Sequence, residues 1–135
     1  FLASNNLINR NSSGQFADWI ELFNYGSKDM DLSGMCLTND PDKMCKWQIP
    51  SRTSIRSGGY LLIWADKNKN GEGLHTNFKL SKNGGSIILT SDNYVVDEIS
   101  FGPQQPDVSS GRISSPEGKI KKLRPTPNAP NQLRY

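Results

Sequence analysis

An all-β fold is predicted for this chain on three observations. Apolar and polar residues alternate over short runs, the two-residue period of an extended chain. Clusters of Gly, Asp, Asn and Pro separate those runs at short intervals. No stretch of useful length carries a helical period, so strands must supply the core, as a sandwich or a barrel. The 135 residues suit one domain rather than two. No internal repeat or low-complexity block interrupts them.

Phe1-Leu2-Ala3 reads as a strand already under way; with no initiator Met, this marks an excised or processed part of a longer chain. Residues 18–24 (DWIELFN) form the first full strand and stop at the turn signal Tyr25-Gly26-Ser27. In an extended chain Ile20 and Leu22 share one face, and Trp19, Glu21 and Phe23 share the other. Residues 30–37 follow and run into the loop Asn39-Asp40-Pro41-Asp42. Residues 46–50 make a short strand that Pro50 ends, because proline has no N–H to give to a ladder. Gly58-Gly59 introduces residues 60–65 (YLLIWA), the most apolar run, which suits a central strand covered on both faces. Residues 86–90 and 94–101 flank Ser91-Asp92-Asn93 and read as a hairpin. Residues 109–113 and 119–123 complete the strands. The proline-rich close at 125–131 reads as the domain boundary, giving a domain over 1–131 and a tail over 132–135.

Cys36 and Cys45 are the only two cysteines, and they bracket the Asp/Pro loop. If 34–38 and 45–49 pair so that partner numbers sum to 81, Cys36 stands opposite Cys45 on one face. Cross-strand Cβ atoms roughly 4.5–5.5 Å apart are near disulfide range. Two buried thiols serve as well, since free cysteine is a common small hydrophobe, and the sequence leaves both readings open. There is no CxxC pair, which argues against a structural zinc site.

At 34% hydrophobic and 21% charged, the composition is that of a globular chain. No run approaches the roughly 18–20 apolar residues that span a bilayer, so membrane insertion is not expected. The first residues lack the zones of a secretory signal. The net charge is +3 and the pI about 8.9, but only residues 119–124 (KIKKLR) are densely basic. That segment alternates, so its cations fit the solvent side of a strand, with Ile120 and Leu123 toward the core, better than a phosphate-binding strip.

Trp19, Trp47 and Trp64 fall in three separate strands. With Ile20, Leu22 and Leu62 they are the expected core, since large aromatics dominate burial in a small β domain. Their functional alternative is a platform on which sugars stack.

His75 is the sole histidine. A Ser-His-Asp site could recruit Ser81 or Asp66, but no Gly-x-Ser-x-Gly elbow marks a nucleophile. The favoured reading is that His75, Thr76 and Asn77 satisfy backbone groups in a long connection. Asp66-Lys67-Asn68-Lys69-Asn70-Gly71 matches the first half of a calcium loop. Its twelfth position is Asn77, where a bidentate Glu belongs, so an ordinary turn is favoured over a metal. Asp18 and Glu21 point to opposite strand faces and form no acid/base pair. Glu21 shares a face with Trp19 and needs a partner if buried; Arg112 or a lysine is expected. Asp97 and Glu98 read as solvent-side residues.

Several of these segments, in this order, resemble the lamin tail domain family. They are residues 17–24 (ADWIELFN), 31–34 (DLSG), 47–50 (WQIP) and 58–66 (GGYLLIWAD). Residues 74–81 (LHTNFKLS), 101–104 (FGPQ) and 107–112 (DVSSGR) resemble its bacterial branch. Met35 and Cys36 depart from it, standing where bacterial members often carry aromatic residues. The resemblance spans about residues 1–131. It implies an immunoglobulin-like β-sandwich of mostly antiparallel strands. It also implies a non-catalytic module of a larger, exported bacterial protein at the cell surface or outside it, with no cofactor. A protein or glycan partner is expected at loops on one end of the sandwich. The long polar loops are 66–77 and 102–110, and the candidate contacts in and beside them are Asp66, His75, Asn77, Lys79, Asp107 and Arg112. The alternative, by analogy with nuclear lamins, is a nucleic-acid contact through Lys121, Lys122 and Arg124.

Overall fold

The computed structural model describes residues 1–68, 71–113 and 118–134. Its regular elements are all strands: β1 (Asp18–Phe23), β2 (Met30–Asp31), β3 (Cys36–Thr38), β4 (Trp47–Gln48), β5 (Ser54–Ile55) and β6 (Tyr60–Ala65). They continue with β7 (Gly85–Ser91), β8 (Tyr94–Phe101), β9 (Ser109–Gly111), β10 (Lys121–Arg124) and β11 (Gln132–Leu133). No helix occurs among the described residues, so none crosses a membrane.

One sheet is ordered β4-β3-β7-β8, with every neighbour antiparallel. The second is built on the antiparallel pair β1-β6, in which Trp19 faces Trp64 and Ile20 faces Ile63. Its neighbours come from the first two residues. Leu2 N–H donates to the Trp19 carbonyl at 2.8 Å and Trp19 N–H returns to Leu2 at 3.0 Å. Phe1 and Ser110 exchange bonds of 2.8 and 2.9 Å. The hydrogen-bonded order is thereby extended through β9 to β10 and β11. The short pair β2-β5 stands apart from both sheets.

Period-2 geometry then decides which side chains meet. Ile20, Ile63 and Ala65 project from one face of β1-β6 into a core shared with Leu37, Ile87 and Leu89 of the other sheet. Phe78, Leu80, Ile49 and Leu32 fill out that core. The opposite face of β1-β6 carries Trp19 and Trp64, which form a second cluster with Leu2 under Ile8 and Ala17. Hence β6 is covered on both faces over Ile63–Ala65, while Tyr60, Leu61 and Leu62 are only partly buried.

Several expectations are corrected. Trp19, Ile20 and Trp64 are buried core residues as expected, but the two tryptophans form a second core cluster, because they alternate with Ile20 and Ile63 and must point away from the first. Leu22, Leu62 and Trp47 are partly buried and pack against these clusters from their margins. The segment 30–37 is two strands, since Gly34 at φ 82° and the bond from Met35 N–H to the Leu32 carbonyl (3.1 Å) turn the chain between them. In the next hairpin partner numbers sum to 84, with Cys36 opposite Gln48 and Leu37 opposite Trp47. The turn takes up the extra residues: Asp40 accepts Lys43 N–H at its carbonyl and Asp42 N–H at its side chain. Cys45 therefore sits in the turn rather than in a strand, and there it is bonded to Cys36 as a disulfide with Cα atoms 4.9 Å apart. The proline-rich close is not a boundary. Ala129 N–H turns back to the Thr126 carbonyl (3.1 Å), and residues 132–133, assigned above to the tail, pair with β10.

Around the remaining hairpin, Asp92 and Asn93 adopt φ of 48° and 67°, the left-handed pair that a two-residue turn requires. In β10, Leu123 is buried and Lys121, Lys122 and Arg124 are exposed.

Candidate functional site

The end of β6 delivers Asp66 to a point where three chain segments converge. Its Oδ1 accepts Asn68 N–H at 3.0 Å, the self-closing turn that Asp followed by polar residues favours. Its Oδ2 accepts Asn11 Nδ2 at 3.0 Å. Both oxygens lie 2.8–2.9 Å from His75 Nδ1, and the two side chains are 2% and 5% exposed, so the pair is shut off from solvent. His75 is held there by its own backbone, which forms a parallel bridge with Trp64. Trp64 N–H donates to the Leu74 carbonyl at 2.9 Å, and Thr76 N–H to the Trp64 carbonyl at 2.8 Å.

The other ring nitrogen settles the chemistry. His75 Nε2 is 2.7 Å from the Glu72 carbonyl oxygen and 3.4 Å from Ser12 Oγ. A carbonyl oxygen only accepts, so the Nε2 hydrogen is directed to Glu72 and no lone pair is aimed at the hydroxyl. Gly71 closes the edge of the ring: a Cβ built there would stand 2.6 Å from Nε2 and 2.8 Å from Ser12 Oγ. The line Asp66, His75, Ser12 thus resembles a nucleophilic triad in order but lacks a base facing its hydroxyl. Ser81 takes no part, since its Oγ accepts Asn83 N–H at 3.2 Å.

The same contacts absorb the calcium-loop pattern. Asp66, its first position, is consumed by His75, Asn68 and Asn11. Asn77, its twelfth, donates Nδ2 to the Lys46 carbonyl at 2.8 Å. The fourth and fifth loop positions, 69 and 70, lie outside the described residues. Thr76 Oγ1 donates to the Phe78 carbonyl at 2.7 Å.

Two grooves flank this cluster. One, of about 340 Å³, is lined by Gln15, Phe16, Ala17, Asp18, Ala65, Asp66 and Lys79. Asp18 Oδ2 accepts Leu80 N–H at 3.1 Å. Burial pushes the Asp18 carboxyl up to about 6, against the pull of that bond and of Lys79, with Asp66 adding to the rise. The other groove, of about 390 Å³, lies between Trp47 and Pro50 on one side and Asn68, Gly71, Gly73, Leu74, His75, Thr76 and Asn77 on the other.

The remaining predicted contacts serve other segments. Lys79 bridges Asp66 through its main chain, and its carbonyl accepts Asn39 Nδ2 at 3.1 Å. Asp107 Oδ1 accepts the N–H groups of Asn6 and Leu7 at 2.7 and 2.9 Å, pinning the first loop. Arg112 does not meet Glu21. It pairs with Asp97 at 2.8 Å and donates to the Glu98 carbonyl at 3.1 Å. Glu21 instead accepts Asn128 N–H at 2.8 Å, because the turn before β11 folds across β1. Burial raises its carboxyl above the usual range, against that bond. Sequence reasoning pointed to the loop 66–77 but missed Asn11 and Ser12. Their only signal is that Asn11-Ser12-Ser13-Gly14 is turn-forming, which says nothing of a contact with residues more than fifty positions away.

A family model described as Lamin Tail Domain matches residues 5–103 of the chain. No curated protein and no solved structure matches it.

Proposed function

The chain belongs to the lamin tail domain family, and from that premise we propose that it is a non-catalytic binding module of a larger exported protein. One observation carries the reading. The side chains best suited to chemistry, His75 and Asp66, are spent on each other and on main-chain groups, and what they build is a fixed loop end with a groove. Groups that enzymes keep accessible are here used as structure. The disulfide between Cys36 and Cys45 supports export, since such bonds persist in oxidising compartments. The cell surface of a bacterium, or the medium around it, is the proposed location, and a protein or glycan the proposed partner.

The test is retention of the purified domain on a bacterial envelope fraction, before and after the loop 66–77 is altered by Asn68→Ala. Retention that falls severalfold in the folded variant supports the module reading. Retention indifferent to the loop overturns it.

A second reading has its own observation. Lys121, Lys122 and Arg124 are exposed on β10, and Arg134 N–H donates to the Lys122 carbonyl at 3.4 Å, so by alternation Lys122, Arg124 and Arg134 gather on one face of the short sheet. Nucleic acid bound there through three phosphates would lose roughly 40-fold in affinity between about 50 and 200 mM salt. Retention on duplex DNA with that slope, lost in Lys122→Ala/Arg124→Ala, would favour this reading.

A further inference from the structure

We propose that the Cys36–Cys45 disulfide is a redox-sensitive clasp that holds the hairpin 39–48 against residues 77–79, so that this end of the domain is completed only where the two thiols are oxidised. The inference goes beyond the module reading and stands whatever the module binds.

The hairpin that carries the disulfide has little else to hold it. From Asn39 to Gln48 no side chain is buried. The ladder between β3 and β4 is only Cys36 with Gln48 and Leu37 with Trp47, and β4 lies at the edge of its sheet. The turn's own bonds, around Asp40, are local. Such an edge hairpin belongs to the low-stability end of a fold. The covalent bond, across a sequence separation of 9, is its strongest restraint. In the chain-entropy description, closing a loop of that length restricts the opened hairpin by a factor of about a hundred.

The same hairpin props the connection between β6 and β7. Asn39 Nδ2 donates to the Lys79 carbonyl at 3.1 Å, and Asn77 Nδ2 donates to the Lys46 carbonyl at 2.8 Å. Lys46 Nζ donates to Asn39 Oδ1 at 3.0 Å and lies 5.7 Å from the centre of the Phe78 ring. Lys46 directly follows Cys45, so these contacts depend on where the sulfur fixes the turn. Opening the turn frees both amides. Phe78 stays buried, and the bridges of Trp64 to His75 and Asp66 to Lys79 keep the backbone beside it in the fold, so the change is local.

The chemistry is thiol–disulfide exchange. On closing, the two thiols give two electrons and two protons to an acceptor disulfide, which leaves as two thiols. On opening, a thiolate of a dithiol attacks Sγ of Cys45, the exposed member of the pair. Cys36 leaves as a thiolate and takes up a proton. The second sulfur of the dithiol then displaces Cys45 and closes its own disulfide.

The test is NMR of the isotope-labelled domain when oxidised, when held in excess dithiothreitol, and when re-oxidised with oxidised glutathione. In the reduced form the side-chain amides of Asn39 and Asn77 are expected to fall from rigid order parameters of about 0.85 to below about 0.6, with shifted backbone signals over 39–48 and 77–79. Signals of β1, β6 and β8 stay in place, re-oxidation restores the others, and Cys45→Ser gives the loosened spectrum in either condition. Rigid, unshifted Asn39 and Asn77 in the reduced protein or in Cys45→Ser overturn the proposal, since hydrogen bonds then hold the hairpin unaided. Shifts spread through β1, β6 and β8, or unfolding, also overturn it, since the bond is then a general brace. So does a disulfide that excess dithiothreitol leaves intact in the folded domain.

Discussion

Asp66 and His75 are 2.8 Å apart and almost wholly buried, and the space that permits this is the missing side chain of Gly71. Gly71→Ala would push a methyl group against Ser12 Oγ and into the ring edge of His75, which cannot retreat without breaking its bond to Glu72 or Asp66. A cost of about 2–3 kcal/mol is expected, read as a lower denaturation midpoint together with shifted His75 imidazole NMR signals. An unchanged midpoint with unmoved signals would contradict the packing described. Asp18 gives a prediction with a sign. Its carboxyl ionises near 3.8 in the unfolded chain and at about 6 in the folded one. Between those values the folded state holds a proton that the unfolded state has released, so stability falls as pH rises through the window and stays lowered above it. Asp18→Asn keeps an acceptor for Leu80 N–H and removes the charge. It should therefore be more stable than the parent at pH 7.5, by about 1 kcal/mol after solvent screening, and equal to it below about pH 4. Thermal melts of both proteins across that range check this; a gap that does not open with pH refutes it.

At the scale of the element, the pair β1-β6 separates the molecule into two apolar regions by alternation alone. Trp64 lies buried opposite Trp19 on the outer face, whereas Trp47 is half-exposed on the edge strand β4. Trp64→Ala is expected to cost about 3–5 kcal/mol and Trp47→Ala clearly less, by denaturant titration; the reverse order would refute the two-cluster packing. The edge strand β8 shows a different device. Asp97 Oδ1 accepts Glu98 N–H, and Arg112 takes the Glu98 carbonyl while pairing with Asp97, which blocks the middle of an otherwise open edge.

Much of this layer was legible in the sequence. The strands at 18–23, 60–65, 85–91 and 94–101 follow from alternating or continuously apolar runs between turn residues. What was not legible was set by contacts outside the local pattern. The two-residue strands β2 and β5 are too short to show a period. The 36–48 register depends on how many residues the Asp40 turn absorbs, and β11 follows three prolines that locally argue for an exit. At the site, Asp66 and the 74–77 segment could be singled out from residue type. The partners Asn11 and Ser12 come from a distant loop, and so do the groups that hold Asn68 and Asn77, which are Ser13 Oγ and the Lys46 carbonyl.

The whole molecule is a two-layer sandwich whose first residues join β9 to β1, and whose Asp66 and His75 side chains fix one loop end. Family membership supplies the frame, and the groove between Trp47 and the loop 66–77 is the proposed place for a partner. Chemical-shift mapping of the isotope-labelled domain, as the ligand retained from the envelope fraction is added, tests this most directly. Perturbations are expected at the Trp47 indole and at the amides of residues 68 and 71–77, with the buried Trp19 and Trp64 indoles unmoved. Perturbations confined to Lys121, Lys122 and Arg124 of β10, or to the exposed edge of β8, would contradict it.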